Sequence, residues 1–313
     1  MLQRFSRTLS FVVALALTGA GCGSSEPDGT DASATDPTAP ATDPGAPATD
    51  PGAPATDPAA EGSASATDPG AAPVTELVDG PVSVVSLGDS LTYGEGDDLG
   101  LGFVGRLTES IDAIPGRAGS SLTNLGVSGW HSSGMVDGQD GSPSQLAAAL
   151  TEVTAAVAAG RAVLATVLIG SNDLWYLYEY PAENTSSADE DATAEIYRAN
   201  LDRTVRDLSR AGAMVVLGLP DDQSLRPCSI DIDYLHSFLP NVTVEEVQMM
   251  SAMSKRLAGI VEEVAAAHGV RTVDTNAPFW ADTSKMADDL IHPNTDGYSE
   301  LAELWFTAIN DLL

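Results

Sequence analysis

The chain has 313 residues, with 45 acidic against 14 basic side chains and a formal net charge of −31. Such a surface repels polyanions, which excludes nucleic acid as a partner. Two cysteines in this length exclude a disulfide framework.

Residues 1–22 read as an export leader: Arg4 and Arg7, an apolar run over 11–17, then small residues up to Cys22. The run is too short to span a bilayer. The exit Leu17-Thr18-Gly19-Ala20-Gly21-Cys22 resembles a bacterial lipobox, with Gly19 in place of the usual large aliphatic residue. It predicts a lipidated Cys22 and a membrane-surface anchor, on an outer membrane or facing the cell surface or periplasm. The alternative is plain secretion with an incidental cysteine. Residues 23–75 follow, with Ala-Thr-Asp-Pro beginning at 34, 41, 48, 55 and 66. Proline at this frequency blocks helix and sheet ladder alike, so a disordered tether is expected.

From 76 to 313 apolar strands alternate with helical patterns. Strands are expected at 82–87, 122–125, 162–169, 213–219 and 270–273, as continuous apolar runs of the kind buried on both faces. Helices are expected at 103–111, 145–159, 192–211, 244–267 and 295–312. Gly160, Gly212 and Gly269 stand where helices stop. This alternation predicts one three-layer α/β/α domain on a parallel sheet. Segments 93–102, 128–142, 174–192 and 221–242 are expected to shape a pocket, the last two as long loops.

In such a sheet the functional groups collect after the strands' C-terminal ends. Gly88-Asp89-Ser90-Leu91 follows the first strand, Gly126-Val127-Ser128-Gly129 the second and Gly170-Ser171-Asn172-Asp173 the third. Asp289-Leu290-Ile291-His292-Pro293 precedes the last helix. A serine hydroxyl needs a base, and a histidine base works best when a carboxylate fixes its tautomer. Asp289 and His292, three apart in one loop, can both face Ser90, with Asp288 as the rival carboxylate. The Ser90 N–H, a bare Gly126 N–H and the Asn172 amide can converge on an oxyanion. Each residue also has a plainer reading. Ser90 can cap a helix, Asp89 can hydrogen-bond within the elbow, and Asn172 and Asp173 can form turns.

All four blocks, in this order, resemble the SGNH hydrolases, also called GDSL-type lipases and esterases. The resemblance covers residues 80–313. It implies a flavodoxin-like five-stranded parallel sheet ordered 2-1-3-4-5. It implies a serine esterase with catalytic Ser90, His292 and Asp289, and an oxyanion hole of Ser90, Gly126 and Asn172. The substrate is expected to be a small-molecule or polysaccharide ester, acyl or acetyl, with no cofactor. Trp130, His131 and Trp175 are weaker candidates for lining the pocket, by stacking on a sugar or bordering an acyl groove. Tyr176 is read with them. His131 can equally be a surface histidine. His236 and His268 read as incidental, Cys228 as a small packed residue, and no metal set stands out. The competing reading is a surface lipoprotein that binds glycan or cell-wall material without catalysis, on the same fold.

Overall fold

The computed structural model describes residues 74–180 and 184–313. The predicted leader, Cys22 and the repeats lie outside the described residues.

Five strands, β1 Val82–Gly88, β2 Ser121–Asn124, β3 Ala162–Leu168, β4 Met214–Gly218 and β5 Arg271–Val273, form one sheet. Its order is β2-β1-β3-β4-β5, all neighbours parallel. This is the architecture expected from the alternating apolar runs. The central strands β3 and β4 are buried at every position, as a strand covered on both faces must be.

Successive side chains of a strand face opposite sides, so each strand feeds two cores. Val85, Leu87, Val163, Ala165, Val167, Val215 and Leu217 pack on one side. They meet α4 (Gln145–Ala158), α6 (Ser187–Arg210) and α9 (Val244–His268). Val82, Val84, Leu164, Leu168, Met214 and Val216 pack on the other, against α2 (Gly102–Asp112) and α10 (Thr295–Ile309). The helix starts are chemically marked. Thr243 and Glu246 form a reciprocal capping box at α9, and Ser186 and Asp189 do so at α6. Gly269, at φ 67°, closes α9 in the left-handed conformation that glycine adopts without penalty.

The segments expected to shape the pocket, the two long loops among them, are partly helical. Of the segment read as a loop over 174–192, residues 174–179 belong to α5 (Ser171–Glu179), which buries Leu174, Trp175, Leu177 and Tyr178, and residues 187–192 belong to α6. The Gly-Ser-Asn-Asp that opens α5 looks like a turn because those residues also favour helix starts. Between 128 and 142 lies α3 (Ser132–Asp137), and between 221 and 242 lie α7 (Pro227–Ile230) and α8 (Ile232–Leu235). These three are too short to show a helical period in sequence. The four-residue α1 (Ser90–Tyr93) follows β1.

Trp305 is fully buried on α10 and stacks on Phe103 of α2, with ring centroids 5.1 Å apart. Trp305→Ala is expected to lower stability by about 3–5 kcal/mol. Urea unfolding measures it; a loss below about 1 kcal/mol would contradict this packing role.

Candidate active site

The strand β1 ends at Gly88, where the chain must turn from sheet to helix with almost no room. Gly88 has φ +155°, and a Cβ there would lie 2.0 Å from the Leu168 carbonyl oxygen and 2.2 Å from Thr92 Oγ1. Both polar groups of Gly88 are held by one buried side chain. Gln145 Nε2 donates to its carbonyl at 2.8 Å, and its N–H donates to Gln145 Oε1 at 2.9 Å. Sequence reasoning reads Gln145 only as a helix opener; its clamp on the elbow depends on where α4 packs.

Asp89 caps α1, accepting the Leu91 N–H at 3.0 Å, which is the elbow role expected of it. Its other oxygen, Oδ2, is buried with no protein partner. Burial pushes the carboxyl up to about 6, against the Leu91 N–H and the charges of Arg226 and His292.

Ser90 opens α1, so its N–H has no intrahelical acceptor. Its Oγ lies 2.9 Å from His292 Nε2, and His292 Nδ1 lies 2.6 Å from Asp289 Oδ2. Asp289 Oδ1 accepts the N–H groups of Ile291 and His292, both at 2.9 Å. Partial burial opposes ionisation of Asp289. The His292 hydrogen bond and charge, with the two N–H groups, outweigh it and hold the carboxyl below its ordinary value. Asp289, not Asp288, is therefore the carboxylate on the imidazole. This line can carry a proton from the serine hydroxyl to Nε2 while the anion steadies the imidazolium.

Asn172, at the start of α5, donates from Nδ2 to the Trp130 carbonyl at 2.9 Å. That leaves its second amide hydrogen for another acceptor. Gly126 packs so closely on α1 that a Cβ would fall 2.4 Å from Tyr93 N. This close approach is why the position needs glycine. Its N–H donates to Asn124 Oδ1 at 2.9 Å, so it could reach an oxyanion only by sharing that hydrogen. Glu95 Oε2 accepts from Ser128 Oγ, joining the segment after α1 to the loop after β2.

Two pocket expectations need correction. Trp130 and Trp175 are only 6% and 5% exposed, and Trp175 belongs to the core around α5. Their large apolar rings are drawn inside, which leaves little surface for stacking on a sugar. His131 does line a pocket of about 220 Å³, together with Ser133, Asn172, Tyr176 and Ile196 among others. His131 also caps α3, its Nδ1 accepting the Gly134 N–H at 3.2 Å, and its ring meets Tyr176 edge-on at 6.0 Å. Asp173 is not merely a turn residue. It is buried and accepts from Ser132 N–H at 2.9 Å and Ser132 Oγ at 2.5 Å, tying α5 to α3. Burial raises its carboxyl despite those bonds.

His236 and His268 take local roles, on the Val242 carbonyl and on Asp202, both at 2.8 Å. Among the described residues no group of His, Cys, Asp and Glu is arranged to hold a metal ion. No described helix is long and apolar enough to cross a membrane.

The model of the GDSL-like lipase/acylhydrolase family matches residues 86–299, from the end of β1 into α10. The chain belongs to this family. It is a serine carboxylic ester hydrolase. The lipase Lip_vut3 from a goat rumen metagenome matches with a TM-score of 0.53 at 19% identity, over 72% of this chain and 97% of that one. LAE5, an α/β hydrolase enzyme from the metagenome of Lake Arreo, Spain, gives 0.49 at 20%, over 75% and 98%. The extracellular lipase of Streptomyces rimosus gives 0.48 at 18%, over 72% and 99%. At such identity the first of these likenesses shows a shared fold. No curated protein matches the chain.

Asp89 supplies a pH test of this GDSL-family site. Its carboxyl stands near 6 when folded against an ordinary 3.8, so the folded chain holds the proton more tightly. Its contribution to stability is complete below about pH 4 and is lost as pH rises through about 6. Asp89→Asn keeps the acceptor for Leu91 and removes the charge. It should raise stability at pH 8 by on the order of 1–3 kcal/mol and leave it nearly unchanged at pH 4. Urea unfolding at both values measures the difference; equal effects at the two would refute it.

Proposed function

We propose that this chain is an exported serine esterase acting through an acyl-enzyme, with Ser90 as nucleophile, His292 as base and Asp289 as the group that orients the base. The observation that carries the reading is the continuous line Ser90 Oγ–His292 Nε2 and His292 Nδ1–Asp289 Oδ2, at 2.9 and 2.6 Å. In the forward step Ser90 Oγ bonds to the ester carbonyl carbon as its proton passes to Nε2. The carbonyl oxygen gains negative charge and is met by the Ser90 N–H and the Asn172 amide. Gly126 joins as a third donor if its hydrogen is shared with Asn124. The intermediate collapses, the C–O bond to the alcohol breaks, and Nε2 returns the proton to the alcohol. Water then repeats the cycle on the acyl-serine and releases the acid.

The pocket beside Asn172, at about 220 Å³, is smaller than the roughly 300–1,000 Å³ of sites that enclose a drug-sized ligand. Ser90 and His292 do not line it, so it is a side pocket reached past Asn172, with room for a short acyl group or one sugar ring. The substrate class proposed is therefore a short-chain ester, acetyl foremost, of a polysaccharide or a small alcohol. The leader supports export. The exit at Cys22 and the Ala-Thr-Asp-Pro repeats support a lipid-anchored domain held off a membrane surface.

A p-nitrophenyl ester series from acetyl to long acyl tests the chemistry. Turnover should be fastest at the short end, and Ser90→Ala should fall roughly 10³-fold or more. An optimum at long chains would overturn the substrate reading; an unimpaired Ser90→Ala would overturn the mechanism. Asn172→Ala should lower kcat by roughly 10²-fold or more with KM little changed. A loss confined to KM would remove Asn172 from the oxyanion hole.

A further inference from the structure

The segment after β4 was expected only to border the pocket. Instead it buries an ion pair against the loop that carries His292. Asp221 and Arg226 are each 1% exposed. Arg226 Nε donates to Asp221 Oδ2 at 2.9 Å and Nη2 to Oδ1 at 2.8 Å, a two-pronged pair. The guanidinium carbon sits 4.5 Å from the centre of the Trp280 ring. One prong remains. Nη1 donates to the carbonyl of Ile291, the residue before His292, at 3.0 Å. Two residues on, the Cys228 N–H donates to the Leu290 carbonyl at 3.3 Å.

Leu290 needs holding. Its φ is +55°, one of only two positive values among the described non-glycine residues. A leucine side chain makes that conformation unfavourable, and it persists only where the surroundings impose it. The N–H groups of Ile291 and His292 are fixed from within the loop by Asp289. The carbonyls of Leu290 and Ile291 are fixed from outside, by Cys228 and Arg226. The His292 carbonyl is taken by the Ala287 N–H at 2.8 Å. The peptide units leading into the imidazole are thus gripped on both edges.

A buried ion pair is a poor source of net stability, because desolvation offsets the attraction. Its placement here has a more specific use. We propose that Arg226, locked by Asp221, is a positioning residue: it holds the strained Leu290–His292 backbone so that Nε2 stays on Ser90 Oγ. The role needs a fork, since Arg226 must serve two Asp221 oxygens and one carbonyl at once. A lysine ammonium, a point donor on a flexible stem, cannot reproduce that. The inference rests on the reading of His292 as the base.

Removing Arg226 alone strands the Asp221 charge in the interior and risks unfolding. The test therefore uses Asp221→Leu/Arg226→Met, which replaces the pair with apolar groups, beside Arg226→Lys and His292→Ala. Near-UV circular dichroism checks the fold. Kinetics on p-nitrophenyl acetate and the low-field proton resonance of the His292–Asp289 hydrogen bond supply the readouts. The double variant should fold, lose roughly tenfold or more in kcat with KM within about twofold, and lose or broaden the resonance. Arg226→Lys should fall in between, at roughly three- to tenfold in kcat. A folded double variant with wild-type kcat and an intact resonance overturns the proposal. If the double variant does not fold, Arg226→Lys decides alone, and full wild-type kcat overturns it. An active His292→Ala would instead overturn the reading of His292 as base, which separates the two failures.

Discussion

The site depends on how β1 stops. A strand buried on both faces has to leave the sheet at Gly88 and begin a helix two residues later. There is no space for a side chain between the Leu168 carbonyl and Thr92. That constraint puts Ser90 at the head of α1 with its N–H free of intrahelical partners and its hydroxyl at the sheet's edge. Gln145 makes the turn affordable by satisfying both polar groups of Gly88 from a neighbouring helix. Loops from β2, β3 and α10 then need only meet a serine that is already fixed.

Around the elbow the chain buries charges that a core would ordinarily refuse. Asp89, Asp173, Asp221 and Arg226 are all buried. Asp89 and Asp173 answer burial by holding their protons more tightly. Asp221 answers it by pairing with Arg226. Farther out, Asp97 accepts from Arg106, Thr295 and the N–H groups of Gly102 and Leu99. Burial works against its ionisation, yet those donors keep it well below the usual carboxylate range. These groups join segments rather than fill space. Asp97 ties the stretch after α1 to α10, Asp173 ties α5 to α3, and Arg226 ties the β4 connection to the His292 loop. A catalytic site assembled from separate loops needs such directional ties, because apolar contact alone does not fix a loop's register.

Much of this was legible in the chain. The central strands β1, β3 and β4 announced themselves as largely apolar runs because both faces of the sheet are covered there, whereas the edge strands β2 and β5 are partly exposed and carry polar residues. The long helices α2, α4, α6, α9 and α10 showed apolar spacing long enough to read. Gly88-Asp89-Ser90, Asn172 and Asp289-x-x-His292 stood out because those residue types are unusual immediately after a buried strand or before a helix. The short helices did not show, since four to six residues hold barely one turn of pattern. Trp130 and Trp175 misled as pocket aromatics because a sequence does not say which face of α5 or of a loop turns inward.

What the sequence determined by itself is the set of local choices. It set where the chain is apolar enough to be strand or helix, where glycine permits a turn, and which side chains could carry ester chemistry. These follow from the period of the pattern along the chain and from the size and intrinsic chemistry of each residue type. The tertiary structure decided the partnerships. It brought Ser90 within 2.9 Å of a histidine 202 positions away. It chose Asp289 over Asp288, engaged the Gly126 N–H with Asn124, and set Gln145 and Arg226 behind the elbow and the His292 loop. Those outcomes depend on directional hydrogen bonds between segments far apart in sequence. Only packing the helices onto the two faces of the sheet determines which donor meets which acceptor.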